Sequence, residues 1–209
     1  MRLWHRTILA LAALLTAAGL AGAAPNTASA QDPVRPEETY AFALPDRWQE
    51  VNRTRQGNVD IITFLPGGQT MQGWRDMVIL QIYRDMTAVP AESLRERSLN
   101  NAQAACEDAT ASGLQTGLSN GYPSAFWATA CTRNKQTGLG EVAYFRSLQG
   151  NDNLYMVQRV WSMPAFGAEP PTIPEAEKRE AIGILSGLNV CQPGSRQHPC
   201  PGQPGEAQR

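Results

Sequence analysis

The spacing of hydrophobic positions changes period several times along the chain, and each change marks an element. Residues 59–65 (VDIITFL) are β-branched and aromatic, with Gly57-Asn58 before them and Pro66-Gly67-Gly68 after, which predicts a strand between turns. Residues 77–83 (MVILQIY) are apolar on both faces over most of their length. A strand of that kind is buried on both sides, so each face of its sheet needs cover. From 90 to 112 the period becomes helical: Leu94, Leu99, Ala102, Cys106 and Ala109 recur at intervals of three to five, between Pro90 and Gly113. That spacing predicts a helix of about six turns.

Three β-like segments follow at 126–131, 141–148 and 154–161, separated by Asn, Gly and Asp turn residues. Their short spacers predict an antiparallel meander. A second helix is predicted over 174–188, where Ala181, Ile184, Leu185 and Leu188 form a one-sided stripe. Thr172 and Glu175 have capping-box spacing at its start. An alternating segment, 40–44, ends at Pro45-Asp46, with Trp48 and Val51 placed to pack a short turn against the core. The order β-β-helix-β-β-β-helix predicts an α+β domain, an antiparallel sheet of about five to six strands packed with two main helices.

The two ends read differently from this core. Arg2 and Arg6, an uncharged apolar run over 7–20, and Ala28-Ser29-Ala30 follow the layout of a secretory signal peptide over residues 1–30, cleaved between Ala30 and Gln31. Ala21-Gly22-Ala23 is a second possible site. Residues 31–39 (QDPVRPEET) read as a flexible lead-in, 40–191 as a single domain, and 192–209 as a Pro/Gly-rich disordered tail. The apolar run is too short to span a bilayer, and no lipid-anchor cysteine follows it, so the processed chain has no stable membrane span. The expected location is periplasmic, or secreted if the host has one membrane.

Without Arg2 and Arg6 the 18 basic residues become 16, against 19 acidic. The positive charges are scattered, so nucleic acid is not an expected partner. In an exported chain, the even set Cys106, Cys131, Cys191 and Cys200 reads as disulfides. Three pairings are open. Spacing favours Cys106 with Cys131, stapling helix to sheet, and Cys191 with Cys200, tethering the tail.

Candidate chemistry is sparse. Histidine beyond the leader is limited to His198, which argues against a Ser-His-Asp or Cys-His nucleophile, and no G-x-S-x-G, H-E-x-x-H or P-loop pattern occurs. Cys191, His198 and Cys200 match no common zinc spacing. No catalytic residue, metal or cofactor is assigned. Asp60, Asp76, Asp85, Glu141 and Asp152 lie at or near strand ends, where a carboxylate mechanism would need two of them across a cleft. Solvated turn acids are the simpler account. Aromatic-plus-arginine pairs recur at strand ends: Trp74 with Arg75, Tyr83 with Arg84, and Arg159 with Trp161. Trp74, Arg75, Arg84, Arg159 and Trp161 are therefore the partner-binding candidates, provided the fold gathers them.

The run Phe42-Ala43-Leu44-Pro45-Asp46-Arg47-Trp48 resembles the strand, Leu-Pro, small polar, Trp opening of PsbP/Mog1/DcrB-like domains. Phe64-Leu65-Pro66-Gly67-Gly68, with Trp74 and the strand 77–83 beyond, and Gly150-Asn151-Asp152-Asn153 leading into Leu154-Tyr155, are similar to patterns in related exported bacterial proteins. The resemblance spans about residues 40 to 190. It implies a compact antiparallel sheet between helices with binding or assembly roles, and it carries over no functional residue. The leading expectation is a non-enzymatic accessory domain of the envelope with an envelope protein as partner. A carboxylate-based envelope hydrolase and a carrier of a small apolar ligand are the alternatives. A flat aromatic-arginine patch, an acid-lined pocket or an apolar pocket would favour them in that order.

Overall fold

The computed structural model describes residues 36–201. The predicted leader with its Ala30–Gln31 cleavage site lies outside the described residues, as do 31–35 of the lead-in and 202–209 of the tail. The strands are β1 (Thr39–Ala41), β2 (Trp48–Gln56), β3 (Val59–Pro66), β4 (Asp76–Arg84), β5 (Ala109–Ala111), β6 (Gln115–Ser119), β7 (Tyr122–Cys131), β8 (Gly140–Gln149), β9 (Asn153–Met163) and β10 (Asn189–Cys191); the helices are α1 (Ala91–Ala105), after β4, and α2 (Glu175–Ser186), after β9.

The predicted α+β class holds, with more strands than expected. Eight strands form one antiparallel sheet in the order β2-β3-β4-β9-β8-β7-β5, with β6 sharing the outer edge of β7; β1 and β10 form a separate pair. The predicted meander is β7-β8-β9. The strands of this sheet missed in sequence, β2, β5 and β6, lie at its edges, where one or both faces meet water and no apolar alternation is needed. β2 is the clearest case, with every residue after Trp48 exposed. Its register slips between Glu50 and Asn52, a bulge that bends this free edge. β4 and β9 sit at the centre, as the two-sided apolar run of β4 requires.

Side-chain alternation divides the core into two layers. On one face α1 seats Leu94 against Trp127, Phe145, Leu154, Met156 and Val160, with the Trp127 and Phe145 rings stacked 5.2 Å apart. On the other, Ile184, Leu185 and Leu188 at the end of α2 meet Ile62, Val78, Leu80, Ile82, Leu148, Tyr155 and Val157. Residues alternating along β9, Leu154 and Met156 against Tyr155 and Val157, serve the two layers in turn.

α1 ends at Ala105, seven residues before the predicted Ser112. Cys106 turns extended and bonds to Cys131, Glu107 N–H donates to Arg133 O, and Ala109–Ala111 join the sheet beside β7. Sheet pairing and the disulfide outweigh helical spacing there. The capping box at α2 does not form either: Pro174 is the N-cap, with no side-chain cap, and Glu175 instead accepts from Lys178 at 2.8 Å. Arg146, reaching from β8, donates to Leu185 O and Leu188 O and satisfies carbonyls at the far end of α2.

The cysteines pair as spacing favoured, Cys106 with Cys131 and Cys191 with Cys200. The second bond closes 192–199 into a loop, where a disordered tail was expected. Gln192 is buried and its N–H donates to His198 O, while the His198 ring stacks 3.9 Å from Tyr122. The loop docks on the Asn120-Gly121 turn between β6 and β7, both residues having positive φ. Gly121 is required there: a Cβ would stand 2.7 Å from Gln197 O. Glu38, expected in the flexible lead-in, is buried too; its carboxylate accepts from Asn151 N–H, and its own N–H donates to Asp152.

Candidate functional site

Where β4 begins and β9 ends, the sheet register sets Asp76 opposite Trp161 and Val78 opposite Arg159. Arg159 and Trp161, two apart on one strand, therefore face the α2 side together. Arg159 is 0% exposed. Its guanidinium grips Asp76 through two bonds, Nε to Oδ1 at 3.0 Å and Nη2 to Oδ2 at 2.8 Å, and reaches α2 at Glu180 (3.2 Å) and at Glu177 O (3.4 Å). It lies 5.4 Å from the ring centre of Trp48 and 4.9 Å from that of Trp161.

Arg47, just before β2, completes the cluster. It bonds Glu180 through Nε (3.0 Å) and Nη2 (2.6 Å), approaches Asp76 at 3.7 Å, and lies 5.1 Å from the Trp48 ring centre. Two guanidinium groups and two carboxylates thus neutralise one another, interleaved with two indoles. Burying such charges costs desolvation energy, which the bidentate geometry and the π faces offset. The hydrogen bond from Arg47 holds the Glu180 carboxyl below the usual carboxylate range, and the Glu180 bond raises Arg47 in turn.

Above this cluster opens a cleft of about 660 Å³. Its walls are mostly apolar, from Trp161, Met163, Pro164, Phe166, Ile173 and Pro174, with Arg47, Arg75, Asp76, Arg159 and Glu177 as its charged members. The connection from β9 to α2 forms one side. Phe166 anchors it at one end: its N–H donates to Thr132 O, and its ring lies where a Cβ on Gly140 would meet it at 2.6 Å. Ile173 anchors the other end, buried with Val142, Trp161 and Ala181. The volume suits a small organic ligand, and few polar groups with apolar walls are the usual composition of such sites.

The fold gathers three of the five aromatic-arginine candidates. Arg75, Arg159 and Trp161 line the cleft, although Arg159 is wholly buried and acts from beneath it. Trp74 lies in the other layer, with Met77, Ile79 and Ala102 of α1. Arg84 lies at the opposite end of β4 and pairs with Asp60 at 2.6 Å. The acids scatter as well. Asp60 is held by Arg55 and Arg84, which bring it down to about 2. Glu141 lies under α1, where burial pushes its carboxyl up despite a hydrogen bond from Asn134. Asp85 and Asp152 line a polar recess at the Arg84 end. Asp76 shares the cleft with Glu177, and both it and Glu180 are engaged by arginines. Cys191 and Cys200 are joined to each other, so neither offers a thiolate beside His198.

Arg47, Trp48, Phe166, Ile173 and Glu180 were not singled out in sequence as site residues. Arg47 and Trp48 did stand inside the Leu-Pro…Trp run quoted above. Phe166, Ile173 and Glu180 carry no local signal, because a loop and an ordinary helical glutamate bring them in.

These features define a disulfide-stapled α+β sandwich, helix on sheet on helix, with an apolar-walled cleft over a neutralised charge cluster. No family model and no curated protein matches the sequence. Among solved structures the chain is similar to the Ran-binding protein Mog1p of Saccharomyces cerevisiae (7% identity, 71% of this chain and 84% of that one, TM-score 0.40) and to a point mutant of protein Mog1 (7% identity, 73% and 86%, TM-score 0.41). It is also similar to LpqN of Mycobacterium tuberculosis, described as involved in cell envelope biogenesis (11% identity, 78% and 87%, TM-score 0.44). The likeness is one of overall fold, and no residue role is taken from it. Among the described residues no helix is long and apolar enough to cross a membrane.

Proposed function

We propose that this protein is an exported accessory domain of the cell envelope that holds a small apolar ligand in the cleft between the 164–174 connection, α2 and the sheet. The cleft itself carries this reading. It is concave and apolar-walled, where a protein-docking face would be flat and a carboxylate hydrolase would need one carboxyl poised as a proton donor. Export is supported by the signal-like leader and by the two disulfides, which use all four cysteines. The buried Arg159 cluster acts as scaffold: it fixes the start of α2 against the sheet so that Trp161 and Ile173 keep their places in the wall.

Displacement of a neutral solvatochromic dye by simple alkanols tests the ligand reading. Binding should strengthen with chain length and weaken in Ile173→Ala and Phe166→Ala. Binding that ignores both chain length and these substitutions would refute it. Fractionation of the native host, with mass spectrometry of the isolated chain, tests export; a cytoplasmic chain with four free thiols and an intact leader would refute that half.

A further inference from the structure

The charged groups around the cleft are unequally committed. Asp76, Glu180, Arg47 and Arg159 bond one another, and Glu177 lies in the field of Arg47. Arg75 stands apart. Its backbone is fixed, with its N–H donating to Gln69 Oε1 at 2.6 Å and its carbonyl accepting from Ser162 N–H at 2.9 Å. Arg75 lines the cleft, is exposed, and has no carboxylate partner among the described residues. Trp161 contributes to the wall of the cleft, while its indole N–H is buried. An arginine with no carboxylate partner beside apolar walls calls for an anionic acceptor attached to an apolar body.

We infer that the cleft selects amphiphiles with an acidic head group, which Arg75 pairs at the open rim while the apolar chain lies along Met163, Phe166 and Ile173. This rests on the ligand reading above and adds to it the charge of the head. Arg47 and Arg159 do not compete for the acid, since each is already bonded to carboxylates. Glu177, on the α2 side of the cleft, sets the polarity of the ligand by repelling an acidic head from that side.

Decanoate, decanol and decylamine share one chain and differ in the head, so their affinities for the full chain separate the two readings. Calorimetry at low salt should give decanoate at least about fivefold tighter than decanol, the range of a partly exposed charge-assisted bond. Decylamine should be weakest. The preference for decanoate should shrink as salt is raised, while decanol binding holds steady. Arg75→Gln should bring decanoate to within about twofold of decanol without weakening decanol, and Arg75→Lys should restore part of the preference. Equal binding of all three, or a decanoate preference that survives Arg75→Gln, would overturn the inference and leave the apolar cleft intact. No binding by any of them would overturn both.

Discussion

Replacing Arg159 with methionine should cost far more stability than an ordinary surface arginine. The side chain is fully buried, bonds Asp76 twice and Glu180 once, and lies against Trp48 and Trp161. Methionine keeps much of the volume and removes the charge. Asp76 then keeps only Arg47, at 3.7 Å, while its own side chain is 14% exposed. Leaving one member of a buried ion pair without its partner costs about 3–5 kcal/mol. For a domain of this size that corresponds to a midpoint lowered by roughly 6–20 °C. Urea denaturation of the oxidised protein, followed by circular dichroism, gives the value from the transition midpoint, provided the slope is unchanged. Arg159→Met combined with Asp76→Leu and Glu180→Leu removes the stranded carboxylates and should recover much of the loss, because only the exposed Arg47 is left unmatched. A single variant that loses less than about 1 kcal/mol, or a triple variant no better than the single one, would refute the account of the cluster.

Asp60 supplies a pH test. Arg55 and Arg84 depress its carboxyl to about 2 in the folded state, so its contribution is complete above the ordinary carboxylate range near 4 and is lost as the pH falls towards 2. Asp60→Asn should lower stability at neutral pH and flatten its fall between about pH 4 and 2, read from urea midpoints across that range. Gly121→Ala should cost about 1–3 kcal/mol, since φ is +80° and the new Cβ would press on the 192–199 loop; an unchanged melting midpoint would remove the claim that the loop docks there. Removing Cys106–Cys131, which are 25 apart, should cost about 3.5 kcal/mol, and removing Cys191–Cys200, 9 apart, about 2.7 kcal/mol on loop-closure entropy; melting of the paired alanine variants checks the order. Arg146→Met should loosen the end of α2 by leaving Leu185 O and Leu188 O without their donor, seen as faster amide exchange over 184–190 with α1 unaffected.

The element pattern was legible wherever burial imposes a period. The two-sided apolar run of β4, the meander from β7 to β9, the stripe on α2 and the class of the fold follow from alternation, turn residues and helical spacing, all of which are local. The legibility failed where water or a tertiary bond removed the period. β2 and β6 are polar because they are edges, and α1 stops early because Cys106 and Ala109–Ala111 are claimed by β7. The cleft was legible only in fragments. Arginine and tryptophan at strand ends pointed to Arg75, Arg159 and Trp161, and equally to Trp74 and Arg84, because pairing at a strand end does not say which face or which end of the sheet it occupies. That depended on register and on where the helices lie. Arg47 meets Glu180 across 133 residues, and Arg159 meets Asp76 across 83. Composition and spacing along the chain decide what each segment can bury; only the assembled sheet decides which distant charges share one low-dielectric space, and so which arginine at the cleft has no carboxylate partner among the described residues.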